Sequence, residues 1–227
     1  MIIKKSKGFN IEKFREFPIT YTLIGINIII FALVQFFFQG DHYIFERFGL
    51  NGYLVFFKGE WYRLFTSIFL HWDMMHIVMN MLSIYMVGTM VERLFSIRGY
   101  LSIYFVSALF GSFASMYMHK EGLSAGASGA IFGVFGALAG FAWMHRSTMQ
   151  QQFMEFMRSF GMILLLNLGI GLIFPSIDMS AHIGGLIAGL LGGLMLAKGL
   201  KYLSLYLLIV SVFSVFIYDY LSALYVV

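Results

Sequence analysis

Residues 126–133 read GASGAIFG, and the run of small and apolar residues they open continues to Met144 without a charged side chain. A helix needs about 20 mostly apolar residues to cross a bilayer core, with a working range of roughly 17 to 25. Read as a helix over about 127–144, the stretch is a membrane span with a serine, Ser128, at one end. Composition points the same way: 60% of the 227 residues are hydrophobic and 11% are charged, against roughly 45–50% and about 25% in a soluble domain. The fold class expected is an all-α polytopic membrane protein.

Working outward, six further segments have the length and apolarity of spans or approach it: about 19–38, 74–91, 100–118, 159–174, 180–197 and 202–224. The 159–174 segment is the weakest. Arg158 and Pro175 bound it, and the residue before a proline disfavours helix, so it is expected to end near Phe174. Basic residues collect on the cytoplasmic side of short loops. With the N-terminus inside, that side carries Lys4, Lys5, Lys7, Lys13, Arg15, Arg93, Arg98, Arg146, Arg158, Lys198 and Lys201, and the other carries Arg47, Lys58, Arg63 and Lys120. This asymmetry predicts a cytoplasmic N-terminus and, after seven spans, an extracytoplasmic C-terminus. The apolar run near the N-terminus is too long for a cleaved signal peptide and lacks a small-residue cleavage site. The aromatic segment 39–70 is expected to lie partly in the membrane interface, where Tyr and Trp favour the headgroup level.

Several functions are disfavoured. The absence of cysteine excludes disulfides, thiolate metal sites and a cysteine nucleophile. No soluble basic patch with interleaved aromatics suggests nucleic-acid binding. His71 and His76 are five apart, so the HExxH spacing of a zinc protease is missing; no metal and no cofactor are expected. A transporter or channel would more commonly place paired charges or broken helices at the midplane.

Polar side chains inside spans are costly and so are functional candidates. Span two opens with HWDMMHIVMNM, whose His76 and Asn80 are four apart and share a helical face. Span four carries Ser128, and span six carries His182 in SAHIGGLIAG. Counting to the first polar residue at the cytoplasmic end, Ser128 lies 17 positions from His145, His182 lies 16 from Lys198, and His76 lies 16 from Glu92. At about 1.5 Å per residue all three stand roughly 24–26 Å up, some 5 Å below the outer edge of a ~30 Å core.

The glycines predict which helices touch. Gly129, Gly133, Gly136 and Gly140 form a stripe on span four, and Gly185, Gly189 and Gly193 form one on span six. Such stripes permit close backbone approach. Packing them together would bring Ser128 within hydrogen-bond reach of His182, the arrangement of a nucleophile and its base. His76, Asn80 and the Ser128 backbone N–H could then serve a developing oxyanion. Asp178, four residues before His182, is a possible orienting acid, and His71 reads as a structural residue at the entry to span two.

These residues together resemble the rhomboid intramembrane serine proteases. GASG around Ser128 resembles the family's nucleophile motif, and AHIGGLIAG from Ala181 to Gly189 matches its AHxxGxxxG pattern, which includes Gly185. His76 and Asn80 match its oxyanion positions, with Ser128 contributing its own N–H. EWYR, with Trp61 and Arg63, resembles the signature of its first outer loop. The resemblance runs from about residue 60 to 190. It implies a six-helix rhomboid core plus one C-terminal transmembrane helix, divided as a basic cytoplasmic segment (1–18), the catalytic core (19–198) and the additional helix (199–227). It also implies a Ser–His dyad without a third acid that cleaves transmembrane segments of other proteins near the outer face of a bacterial plasma membrane. The partners implied are transmembrane protein substrates and the lipid bilayer. Substrates of the family are thought to enter sideways past the fifth helix.

The chain departs from the family pattern twice. Phe132 stands where many members have a tyrosine that packs on the catalytic histidine, so stacking can persist while a phenolic hydrogen bond cannot. The GxxxExxxG pattern appears as Gly88, Glu92 and Ser96, which leaves Glu92 a structural role at a helix end, with looser packing where the last glycine is lost. Gly126, before the serine, completes the supporting set. The alternative reading is a non-catalytic rhomboid-like protein that binds transmembrane helices; relatives of that kind lack the nucleophile or the base, and this chain keeps both.

Overall fold

Helix ends explain most of the architecture. The computed structural model describes residues 16–40, 42–148, 150–151, 154–155, 158–159, 161–162 and 177–226. Long helices run over Pro18–Phe38 (α1), Met74–Leu94 (α5), Ile97–Met118 (α6), Ser128–Met144 (α7), Met179–Leu196 (α8) and Leu203–Val226 (α9). Between α1 and α5 lie three short helices, His42–Phe48 (α2), Gly52–Phe56 (α3) and Arg63–Thr66 (α4). By length and composition five helices can cross a membrane, and α7 is a shorter apolar one. The protein is an all-α polytopic membrane protein. The expected span over 159–174 lies mostly outside the described residues.

Three of the long helices start on a side-chain cap that satisfies the N–H three positions on. Asp73 accepts from the His76 N–H at 2.8 Å, Ser96 from Gly99 at 3.2 Å and Asp178 from Ala181 at 3.1 Å. Ser96, expected to loosen packing where the family pattern has glycine, thus caps α6. The first turn of α1 is capped from a distance: the Glu92 carboxylate accepts from the Ile19 and Thr20 N–H groups at 2.7 and 2.8 Å, and from the Thr20 hydroxyl at 2.7 Å. Pro18 at the first turn costs nothing there, because its missing N–H would have been unpaired. Glu92 therefore ties the end of α5 to the start of α1.

The bundle is centred on α8, which packs against both α7 and α6. The two glycine stripes do meet. An added Cβ would stand 2.0 Å from the Gly129 carbonyl oxygen at Gly185, 1.9 Å from the Gly133 oxygen at Gly189, and 2.2 Å from the Ala137 oxygen at Gly193. From the α7 side, a Cβ on Gly136 would reach the Leu186 oxygen at 2.2 Å. Backbones this close leave no room for a methyl group, the packing mode small residues provide in membranes. On the other side of α8, Gly184 lies against the Phe110 carbonyl of α6. Helix α9 packs on α8, α6 and α3, and the Tyr206 hydroxyl donates to the Ala188 carbonyl at 3.2 Å.

Segment 39–70 is fastened by backbone pairing and by one arginine. Leu50 and Ser124 exchange both N–H···O bonds, at 2.8 and 2.9 Å. Arg63, 2% exposed, donates from Nη1 to the Gly49 carbonyl at 2.7 Å and pairs with Glu60 through Nε at 2.7 Å and Nη2 at 2.5 Å. Hydrogen bonding from Arg63 leads the effects that hold the Glu60 carboxyl below its ordinary range. Trp61 lies edge-on to Phe56 and tilted against Tyr218 of α9, with ring centroids 5.6 and 5.3 Å away.

Candidate active site

Helix α7 begins at Ser128, and Ala127 at its N-cap offers no side-chain hydrogen bond. The N-terminal N–H groups of this helix, Ser128's among them, therefore lack the kind of acceptor that Asp73, Ser96 and Asp178 supply elsewhere. A helix start also carries a partial positive charge. The approach to it is fixed by Gly126, whose N–H donates to the Ser67 carbonyl at 2.9 Å and whose φ of 133° is one that side-chain-bearing residues rarely adopt. A Cβ there would also meet Cε1 and Nε2 of His76, each at 2.8 Å. Only glycine lets the His76 ring lie over the chain two residues before Ser128.

His76 occupies the third position of α5, below the Asp73 cap. Its Nδ1 accepts from the Trp72 N–H at 3.4 Å. An imidazole that accepts at Nδ1 carries its proton on Nε2, so the nitrogen nearest Gly126 is a donor. Asn80, one turn further on and buried, gives one amide proton to the His76 carbonyl at 2.9 Å. Its second N–H remains as a further donor. His71 is fully buried, and its ring meets that of His76 edge-on at 5.0 Å. Burial, then the neighbouring His76, push the His71 imidazole down to about 3 against the opposing Phe69 backbone, so it is a neutral packing partner.

His182 is held in the first turns of α8, 6% exposed. The ring of Phe132 lies flat against it, with centroids 4.1 Å apart and planes 8° from parallel. Phe132 is four residues beyond Ser128 and shares its helical face. The imidazole thus packs on the face of α7 that begins with Ser128. Among the described residues no hydrogen bond joins Ser128 to His182. Catalytic hydrogen bonds are often long until substrate closes the site.

Asp178 does not serve His182. Its Oδ1 accepts from the Ser180 hydroxyl at 2.5 Å and the Ala181 N–H at 3.1 Å, with His119 Nε2 at 3.6 Å, and its Oδ2 accepts from the Ser124 hydroxyl at 3.1 Å. Nδ1 of His182 is buried and has no hydrogen-bond partner among the described residues. The carboxylate is a cap and a tie to the loop before Ser128. Burial works to raise its pKa, but hydrogen bonds from Ser115, Ser180 and the Ala181 N–H, together with the charge of His119, hold it below the usual value.

The remaining expected residues lie apart from this cluster. Gly185 sits on the Gly129 carbonyl one residue beyond the serine. Arg63 and Trp61 belong to the 39–70 segment, and Glu92 lies at the opposite end of α5. Sequence reasoning missed Trp72, Ser67, Leu50 and Ser124, which fix the histidine and the loop. Their contacts run largely through the backbone and leave no signature in residue type. Asp73 did have a signal: DMMH at 73–76 and DMSA at 178–181 both begin with an N-cap aspartate.

The Rhomboid domain family model matches residues 58–199, more than half the chain and a range that holds Ser128, His182, His76 and Asn80. Curated relatives include rhomboid protease GluP of Bacillus subtilis (strain 168), 38% identical over 177 residues that cover 75% of this chain and 33% of the relative. The putative rhomboid protease YdcA of the same organism is 29% identical over 184 residues, 79% of this chain and 91% of the relative. RHOMBOID-like protein 1 of Arabidopsis thaliana is 35% identical over 149 residues, 65% of this chain and 38% of the relative. The match thus spans about a third of the length of GluP and 38% of the plant protein. On the family-model match, with motif order and packed helices in agreement, the chain belongs to the rhomboid family.

Proposed function

We propose that the protein is an intramembrane serine endopeptidase in which Ser128 is the nucleophile and His182 the base. One observation carries the reading: Phe132 stacks on His182 one helical turn from Ser128 on the same face of α7. In this mechanism Ser128 Oγ attacks the scissile carbonyl carbon while His182 accepts the hydroxyl proton. The carbonyl oxygen becomes an oxyanion, met by the Ser128 N–H at the uncapped start of α7, by His76 Nε2–H and by the Asn80 amide. The imidazolium then protonates the leaving amine and the C–N bond breaks. Water, deprotonated by His182, hydrolyses the acyl-enzyme and restores the serine. Because Asp178 is engaged elsewhere, the pair acts as a dyad.

The substrates are transmembrane segments of other proteins, cut near the outer face of a bacterial plasma membrane, with the N-terminus of this chain cytoplasmic and its C-terminus outside. Matched depth in three spans and the distribution of basic residues support this placement. Residues 19–198 form the catalytic core of six helices, and 199–227 add a seventh.

The test is cleavage of a helical transmembrane substrate in liposomes together with fluorophosphonate labelling. Wild type is expected to cut and to be labelled at Ser128, with labelling lost on heat denaturation. Ser128→Ala and His182→Ala are expected to fold and not cut. Undiminished cleavage by Ser128→Ala would refute the mechanism, and a folded wild type that neither labels nor cuts would favour non-catalytic helix binding.

A further inference from the structure

The last turns of α9 pack on α3 and on the end of α6. The Tyr225 hydroxyl donates to the Met116 carbonyl at the end of α6, at 2.5 Å. Its ring stacks on Phe56 of α3, with centroids 5.4 Å apart and planes 14° from parallel. At Gly52, the first residue of α3, a Cβ would stand 2.1 Å from the Tyr225 hydroxyl oxygen and 2.2 Å from Cζ. The phenol rests directly on the α3 backbone. Tyr218, two turns earlier, packs on Phe56 and Trp61, and Leu221 is buried with Leu50, Val55 and Met116.

From α3 the connection continues through the Asn51 side chain and the Leu50 backbone. Asn51 caps α3 by accepting from the Leu54 N–H at 3.0 Å, and its amide donates to the Gly122 carbonyl at 3.3 Å. Leu50 exchanges both its backbone bonds with Ser124. Two residues beyond Ser124, the Gly126 N–H is held by Ser67, and two beyond that is Ser128. These bonds couple the start of α3 to residues 122 and 124, just before the Gly126 anchor.

We propose that α9 positions the nucleophile, with Tyr225 as a positioning residue that holds α3 in place and, through Leu50 and Asn51, holds the 122–126 loop leading into Ser128. This rests on the assignment of Ser128 as the nucleophile, but the brace itself can be measured without catalysis.

The experiment uses the full chain in detergent or liposomes and compares wild type, Tyr225→Phe, Gly52→Ala, Tyr225→Ala and the Gly52→Ala/Tyr225→Ala double variant. Removing one hydrogen bond is expected to speed amide exchange at Ser124 and Gly126 by about three- to tenfold in Tyr225→Phe, with exchange in α5 unchanged. Fluorophosphonate labelling and kcat should fall by a similar factor while KM stays within about twofold, the pattern of a misplaced reacting group and not of lost binding. Gly52→Ala should be at least as impaired, yet add little to Tyr225→Ala, where the phenol it strikes is gone. Unchanged exchange at Ser124 and Gly126 in both Tyr225→Phe and Gly52→Ala would overturn the proposal. So would losses in kcat that match the unfolded fraction. If wild type is neither labelled nor active, the protease assignment fails while the exchange rates still decide the brace.

Discussion

Phe132 and His182 are stacked at 4.1 Å, with their planes 8° apart, and this contact fixes the height of the imidazole relative to Ser128. The ring supplies a flat apolar wall and no hydrogen bond. Phe132 therefore orients the histidine through shape.

Truncating that wall should therefore misplace the base without unfolding the bundle. Phe132→Ala is expected to lower kcat about tenfold to a hundredfold, the scale of a 1 Å misalignment. Phe132→Tyr should stay close to wild type. Steady-state cleavage of one substrate by the three proteins, each with its thermal midpoint, provides the check.

The seam between α7 and α8 should tolerate no added atom. Gly185→Ala puts a methyl group 2.0 Å from the Gly129 oxygen, and overpacking of this kind costs about 1–3 kcal/mol or more. Turnover is expected to fall as well, because Gly129 is bonded to Ser128. Gly25→Ala is the matched control, since nothing lies within 4 Å of its Cβ position. Midpoints that shift equally in the two variants would contradict the packing described.

Asp178 sets an acid limit on stability. Its carboxyl is held below the ordinary value in the folded protein, so its contribution is fully present above the unfolded pKa of about 3.9 and is lost as pH falls through the folded value. Between neutrality and about pH 5 the wild-type midpoint should show no loss from this group, and below about pH 4 it should drop more steeply than that of Asp178→Asn. Thermal unfolding of both proteins across that range measures it.

Glu92 joins two helices by three hydrogen bonds, all to a carboxylate. Bonds to charged groups contribute about 1.5–3 kcal/mol each, and Glu92→Ala leaves the Ile19 and Thr20 N–H groups without their acceptor. A destabilisation of at least about 2 kcal/mol is expected, with labelling of Ser128 in the surviving folded fraction unchanged, because the tie lies at the end of α5 away from His76. Glu92→Gln should recover part of the loss.

Membrane class, the order of the helices and the α7–α8 contact were legible in the sequence because each follows from a local or periodic pattern. Runs of apolar residues give spans, and a glycine every four residues marks a face that another backbone can touch. What was not legible runs through the backbone across long separations, as in Leu50 with Ser124 and Gly126 with Ser67, where the side chains take no part. Asp178 shows a different limit. Four residues before a histidine is a fit spacing for an orienting acid, yet three residues before an N–H at a helix start is a fit spacing for a cap, and Ser124 and Ser180 complete the second arrangement.

The bare N-cap of α7 follows from where Ala127 sits: it is fully buried among core side chains, with φ of −74° and ψ of −4°. A serine or aspartate oxygen there would be buried in that core at a cost, and the helical backbone does not present it as an extended N-cap residue would. Under the proposed mechanism an aspartate would also bring its negative charge to the place where the oxyanion forms. Alanine therefore leaves the end of α7 without a side-chain acceptor, open to the carbonyl that the proposed mechanism brings there.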